Sequence, residues 1–165
     1  MLKFNNKSKK LLLLQRNELL TKKQKWTRKK FGRFLFTNFF INFNQDKNII
    51  SDAENLFKRE LDTFKDYLPK TVMNIMDIGC GLGIINILLN KFYNEKPNFY
   101  LLDKNRIDKK IKYGFSSDYE SYNDLGETKR ILTENNIREN RLFLYNVEKD
   151  NLIDVKIDLV ISLKS

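Results

Sequence analysis

Downstream of Pro69, short apolar runs alternate with segments of helical spacing. Met73 to Ile78 reads as a first strand, and Gly83 to Tyr93 as the helix that follows it. Pro97 punctuates the next loop, and Phe99 to Asp103 is a second strand. After a long connection, Asp124 to Ile137 carries Leu125, Thr128, Ile131 and Leu132 at helical spacing. Leu142 to Asn146 and Ile157 to Leu163 are predicted as strands three and four. Strands alternating with helices argue for an α/β fold with a parallel sheet and right-handed crossovers. Upstream, Ser51-Asp52-Ala53-Glu54 has the pattern of a capping box. It predicts a helix start there, with Leu56, Phe57, Leu61 and Phe64 buried and an end near Tyr67, before Pro69. Earlier still, Lys7 to Lys30 suggests one basic helix, with Leu11, Leu12, Leu14, Leu19 and Leu20 as its apolar face.

Charge divides the chain more sharply than hydropathy does. The formal charge of +10 is unevenly spread. Residues 1–48 hold thirteen Lys or Arg and two acids, Glu18 and Asp46, whereas residues 49–165 are close to balanced. This sets a basic, aromatic-rich helical extension (1–48) apart from the rest (49–165). Its lysines, with Trp26, Phe31, Phe34, Phe36, Phe39, Phe40 and Phe43, would suit phosphates and stacked bases of RNA, or an anionic membrane surface. The alternative, favoured by the sheer number of aromatics, is that its leucines and phenylalanines pack on the remaining domain while the lysines stay in water.

Other chemistry is excluded by composition. The 165 residues contain no histidine and a single cysteine, Cys80. A histidine-based triad, general base or metal ligand is therefore absent from them, as are an internal disulfide framework and a cysteine-rich zinc site. The apolar stretches are too short for an integral membrane segment, and no secretory cleavage pattern follows them. A reducing, cytoplasmic setting fits these features.

The residues with the clearest chemistry lie between the first strand and its helix: Asp77-Ile78-Gly79-Cys80-Gly81-Leu82-Gly83. Glycines at such a turn let backbone approach a ligand closely. Twenty residues beyond Gly83, Asp103 ends the second strand, where a carboxylate can accept both hydroxyls of a ribose. A dinucleotide fingerprint would place a third glycine at position 84, which is Ile84. Asp77 would also repel a pyrophosphate, and it would attract a ligand carrying an ammonium and a sulfonium. Cys80, inside the turn, reads as a small residue filling space rather than as a nucleophile.

This D-x-G-x-G-x-G pattern, followed by an acid after strand two, resembles the class I, Rossmann-like S-adenosylmethionine-dependent methyltransferases. The resemblance implies a sheet order of 3-2-1-4 with helices on both faces. It makes Asp77, Gly79, Cys80, Gly81 and Gly83 the cofactor turn for S-adenosyl-L-methionine, and Asp103 the ribose ligand. Members of the family present a polar side chain to adenine after strand three, for which Asn146 is the first candidate, with Glu148 and Asp150 behind it. The helix before strand one commonly covers the cofactor end of the sheet. The family's sheet also continues through strands five to seven, so the resemblance implies a chain truncated after strand four.

The acceptor is less determined. The aromatic connection Tyr113 to Tyr119 and Tyr122 to Leu125 could close over the cofactor, shape a substrate pocket or fill the domain edge. It is loosely similar to sugar O-methyltransferases. Ser162-Leu163-Lys164-Ser165 lacks the N/D-P-P-Y/F motif with which base-amino methyltransferases hold their target. Topology puts Ser162 and Lys164 near the acceptor, without assigning a base. The expectation is methyl transfer to an oxygen or nitrogen of a small molecule, sugars included. The alternatives are an RNA acceptor gripped by the basic extension and a non-catalytic cofactor-binding remnant.

Overall fold

A computed structural model of the chain describes residues 2–43, 46–108, 121–151 and 154–163. Side chains at 42, 43 and 46–48 are outside that description. The connection Tyr113 to Tyr119 and the terminal Lys164 and Ser165 also fall outside it.

Four parallel strands form the sheet: β1 (Asn74–Ile78), β2 (Asn98–Asp103), β3 (Leu142–Asn146) and β4 (Leu159–Ile161), in the order β3-β2-β1-β4. Helices cover both sides of it, so the fold is α/β and Rossmann-like. The strands were legible because each is a short apolar run between turn residues. β4 is shorter than the apolar run from Ile157 to Leu163 predicts. In register, Asp77 of β1 lies between Leu101 of β2 and Ile161 of β4. β1 is thus the strand from which the order runs both ways, and ligands bind beyond the carboxyl ends of strands at such a reversal. The sheet's inner positions, Ile75, Phe99 and Leu101, are fully buried. α5 (Ile84–Phe92) buries Ile84, Ile85, Ile87 and Leu89, and α6 (Leu125–Glu134) buries Leu125, Ile131 and Leu132. Asp124 caps α6 by accepting the Glu127 amide at 3.0 Å.

The N-terminal region is helical as expected and departs from the reading in two ways. The single basic helix is instead two helices, α1 (Asn6–Gln15) and α2 (Lys22–Phe31), separated by a short 3-10 turn at Asn17–Leu19. Thr21 and Gln24 form a capping box that starts α2. Buried Arg28 then reaches back from α2 to the Leu13 carbonyl (3.0 Å) and the Asn17 side chain (2.8 Å), tying α2 to the end of α1. The phenylalanine run forms its own helix, α3 (Arg33–Phe43), entered through Gly32.

The second departure concerns Ser51-Asp52-Ala53-Glu54, which caps nothing. α4 (Asp46–Phe64) begins upstream and runs through it, because a continuous helix buries Ile49, Ile50, Ala53 and Phe57 together. Glu54 accepts the Leu2 amide instead. As predicted, the helical chain ends before Pro69, through a 3-10 turn at Lys65–Tyr67.

Residues 2–41 share one apolar core with the sheet. Leu11, Leu12, Leu13, Leu20, Phe36 and Ile41 belong to the same buried cluster as Ile75, Leu101 and Leu132. Polar contacts strap α1 to α6. Ser8 Oγ donates to Glu127 Oε1 (2.5 Å), Arg130 Nη2 donates to Ser8 Oγ (2.7 Å), and Lys7 pairs with Asp124 at 2.6 Å. At roughly 1.5–3 kcal/mol for each buried leucine, α1 is a large contributor to the core. Packing, the favoured alternative for the leucines, is what they do. Trp26, Phe31, Leu35 and Phe39 nevertheless remain exposed on α2 and α3. Among the described residues, no helix is long and apolar enough to cross a membrane.

Candidate cofactor site

The turn after β1 is stitched to the end of β2. Gly79 N and Cys80 N both donate to the Leu102 carbonyl, at 2.8 and 3.2 Å, and Gly81 N donates to Asp103 Oδ2 at 2.7 Å. Gly79, Gly81 and Gly83 have φ of 72°, 53° and 68°. Two of them also have side chains packed closely over them. A Cβ on Gly81 would lie 2.8 Å from Gln15 Oε1, and one on Gly83 would lie 3.1 Å from Leu132 of α6. Gly81 thus has the tip of the Gln15 side chain against it, and Gly83 has Leu132 of α6 packed on it.

Asp103 is the hub of the site. Its Oδ1 accepts the Lys104 amide at 2.7 Å, and its Oδ2 accepts Gly81 N and the Asn123 side-chain amide at 3.0 Å. Burial raises its pKa, and these three hydrogen bonds oppose the rise. Asp77 is more deeply enclosed. Burial pushes its carboxyl up to about 7, against a 2.6 Å hydrogen bond donated by the Asn86 side chain; the Asp103 charge adds to the rise and Arg16 opposes it. The Asn86 amide oxygen is itself buried with no hydrogen-bond partner. The Cys80 thiol is buried and its pKa lies well above the ordinary value, so it stays protonated; it sits 3.6 Å from the Gly81 carbonyl. That matches a space-filling residue and not a nucleophile.

A cavity of about 620 Å³ opens over this turn, within the size of small-molecule sites. Asp77, Gly79, Cys80, Gly81, Gly83 and Asp103 all line it. Asn146 does not. Its backbone lies level with Asp103 across the β2–β3 pair, but its side-chain oxygen accepts the Glu148 amide at 3.2 Å and shapes the turn after β3. The next residue, Val147, reaches the cavity wall. Glu148 and Asp150, the other candidates, are absent from the wall; Glu148 pairs with Arg106 at 2.6 Å, and Asp150 accepts the Asn146 amide at 2.7 Å. Ser162 donates to the Ile78 carbonyl at 3.0 Å.

Three contributors escaped the sequence reading. Asn123 bonds Asp103, and Thr128 Oγ1 donates to the Gly81 carbonyl at 2.7 Å. The third is the N-terminal segment, which supplies Leu14, Gln15, Arg16, Asn17 and Arg33 to the cavity wall. Gln15 Nε2 donates to the Tyr122 carbonyl at 2.8 Å, and the Arg33 guanidinium lies 4.7 Å from the Tyr122 ring centre. An antiparallel bridge between Ile107 and Tyr122 closes the base of the intervening connection and fixes Tyr122 and Asn123 at the rim. These contacts join segments far apart in the chain, so no local spacing could announce them. Among the described residues, no three His, Cys, Asp or Glu side chains gather into a metal-holding group.

Comparison of the chain with protein-family models, with curated proteins and with solved structures returned no match in any of the three.

Proposed function

We propose that this cavity holds S-adenosyl-L-methionine and that the chain directs its methyl group to an oxygen or nitrogen of a small-molecule acceptor, sugars included. The observation that carries the reading is the pairing of two carboxylates with one glycine turn. Asp103 stands at the tip of β2 on the cavity wall, and Asp77 lies beneath the turn. This reading gives Asp103 to the ribose hydroxyls and Asp77 to a cationic amino-acid end. Val147 offers an apolar contact to a purine.

The state of the turn argues against a pyrophosphate. The amides of Gly79, Cys80 and Gly81 are already bonded to Leu102 and Asp103, so they do not form a cradle for phosphate oxygens. A partly desolvated acid beside the turn is a poor neighbour for a phosphate and a good one for a cation. When bound, the cofactor supplies an activated methyl on a sulfonium. The protein's part is then mainly to align the acceptor and exclude water. Calorimetric titration with S-adenosylhomocysteine, NAD and ATP tests the reading. Binding of the first is expected, and binding of NAD or ATP in its place would overturn it.

An RNA acceptor is the second reading. It is favoured by exposed Lys22, Lys23, Lys25, Lys29 and Lys30 around exposed Trp26 on α2. Deleting residues 1–48 would strip the core of Leu11 to Leu14, so the suitable test replaces these five lysines with glutamine. Salt-dependent binding of single-stranded RNA, lost in that variant, would favour RNA.

A further inference from the structure

We infer that the N-terminal segment builds a subsite for an α-carboxylate in this cavity, with Arg16 as the group that binds it. The inference rests on the cavity being the site of a nucleoside that carries an amino acid, and it adds a residue outside the glycine motif to that site. Arg16 follows the last residue of α1 in extended conformation, φ −119° and ψ 94°, which turns it out of the helix. Its Nη1 donates to Glu60 Oε1 at 3.0 Å, and its guanidinium carbon lies 4.7 Å from the Phe57 ring centre. Glu60 and Phe57, both from α4, thus fix one edge and one face of the guanidinium. Among the described residues, Nε and Nη2 donate to no acceptor, yet the side chain is only 11% exposed. The remaining edge is therefore a preorganised donor pair in a largely dry wall, a geometry that suits a carboxylate.

Its placement across from an acid gives the subsite its selectivity. Arg16 and Asp77 line the same cavity, and Arg16 is close enough to pull the Asp77 pKa down against burial. A cation and an acid facing one space match the carboxylate and ammonium of one amino-acid end. A phosphate or a free carboxylic acid would satisfy only the first. Gln15 sets the register: its Nε2 donates to the Tyr122 carbonyl, and its side-chain oxygen lies against Gly81. That contact ties the end of α1, and so Arg16, to the cofactor turn.

The test measures three ligands by calorimetry. S-adenosylhomocysteine carries the whole amino-acid end, adenosylthiopropylamine lacks only the carboxylate, and methylthioadenosine lacks both charged groups. Wild-type protein is expected to bind the first about tenfold to a hundredfold more tightly than the second. Arg16→Met should remove that difference and leave methylthioadenosine affinity within about twofold, whereas Arg16→Lys should recover part of it. The wild-type comparison needs no variant, so a misfolded Arg16→Met protein would leave the inference open to refutation. Equal wild-type affinity for the first two ligands would overturn the Arg16 subsite and leave the cofactor reading standing. An Arg16→Met protein that still prefers S-adenosylhomocysteine would do the same. Failure of wild-type protein to bind any of the three would remove the cofactor reading, and the subsite with it.

Discussion

Replacing Asp77 with Asn should stabilise the protein at neutral and alkaline pH while impairing its site. The buried carboxyl titrates at about 7 in the folded chain, against 3.8 for an unperturbed Asp. Between those values the native state keeps a proton that the unfolded chain has lost. The group's contribution is therefore complete below about pH 4 and disappears as pH rises through 7. Three units at about 1.36 kcal/mol each give roughly 4 kcal/mol over the window, of which roughly 2.5 kcal/mol falls between pH 5 and 8. Asn has the same shape without the charge, and the orphaned Asn86 oxygen offers its amide an acceptor in the same buried space. Urea unfolding of both proteins at pH 5, 6, 7 and 8 isolates the effect, because other titrating groups cancel in the difference. The Asp77→Asn protein should gain on wild type by about 2.5 kcal/mol across that range. A difference that stays flat with pH would refute the desolvated-acid account. The same acid should lose its proton when a cationic ligand binds. Binding heats near pH 7 should therefore change with the ionisation enthalpy of the buffer in wild type and not in Asp77→Asn.

Asp103→Ala should weaken S-adenosylhomocysteine binding by roughly 1.5–3 kcal/mol through lost charge-assisted bonds to ribose. It should also lower stability, since three donors lose their acceptor; unchanged affinity in calorimetry would make Asp103 a purely structural acid. Gly83→Ala combines φ of 68° with a contact 3.1 Å from Leu132, and should cost about 1–3 kcal/mol in urea unfolding. The double variant Gly83→Ala, Leu132→Ala should not restore the loss, because the backbone strain remains. Leu12→Ala, at a fully buried position of α1, should cost about 2–5 kcal/mol. A cost near zero would show that the N-terminal helices are not part of the folding core.

The sheet was legible because its information is local. Each strand is a short apolar run, with the glycines marking where β1 stops and Pro97 where β2 starts. The glycine turn was legible for the same reason, since backbone conformation at Gly79, Gly81 and Gly83 restricts residue type directly. The misreadings came where tertiary contacts outweighed a local signal. Ser51-Asp52-Ala53-Glu54 has a cap's sequence, but burying Ile49 and Ile50 on a continuing helix wins. The lysine-rich stretch has a helix's spacing, but a turn at Asn17–Leu19 breaks it, and Arg28 bonds back across that turn to Leu13 and Asn17. Asn123, Gln15 and Arg16 acquire their positions only when distant segments meet.

A crystal structure of the chain with S-adenosylhomocysteine tests the central claim most directly. The account predicts the ribose hydroxyls within hydrogen-bonding distance of Asp103, the purine against Val147, and the amino-acid end between Asp77 and Arg16. A ligand bound elsewhere, or a ribose making no contact with Asp103, would contradict it.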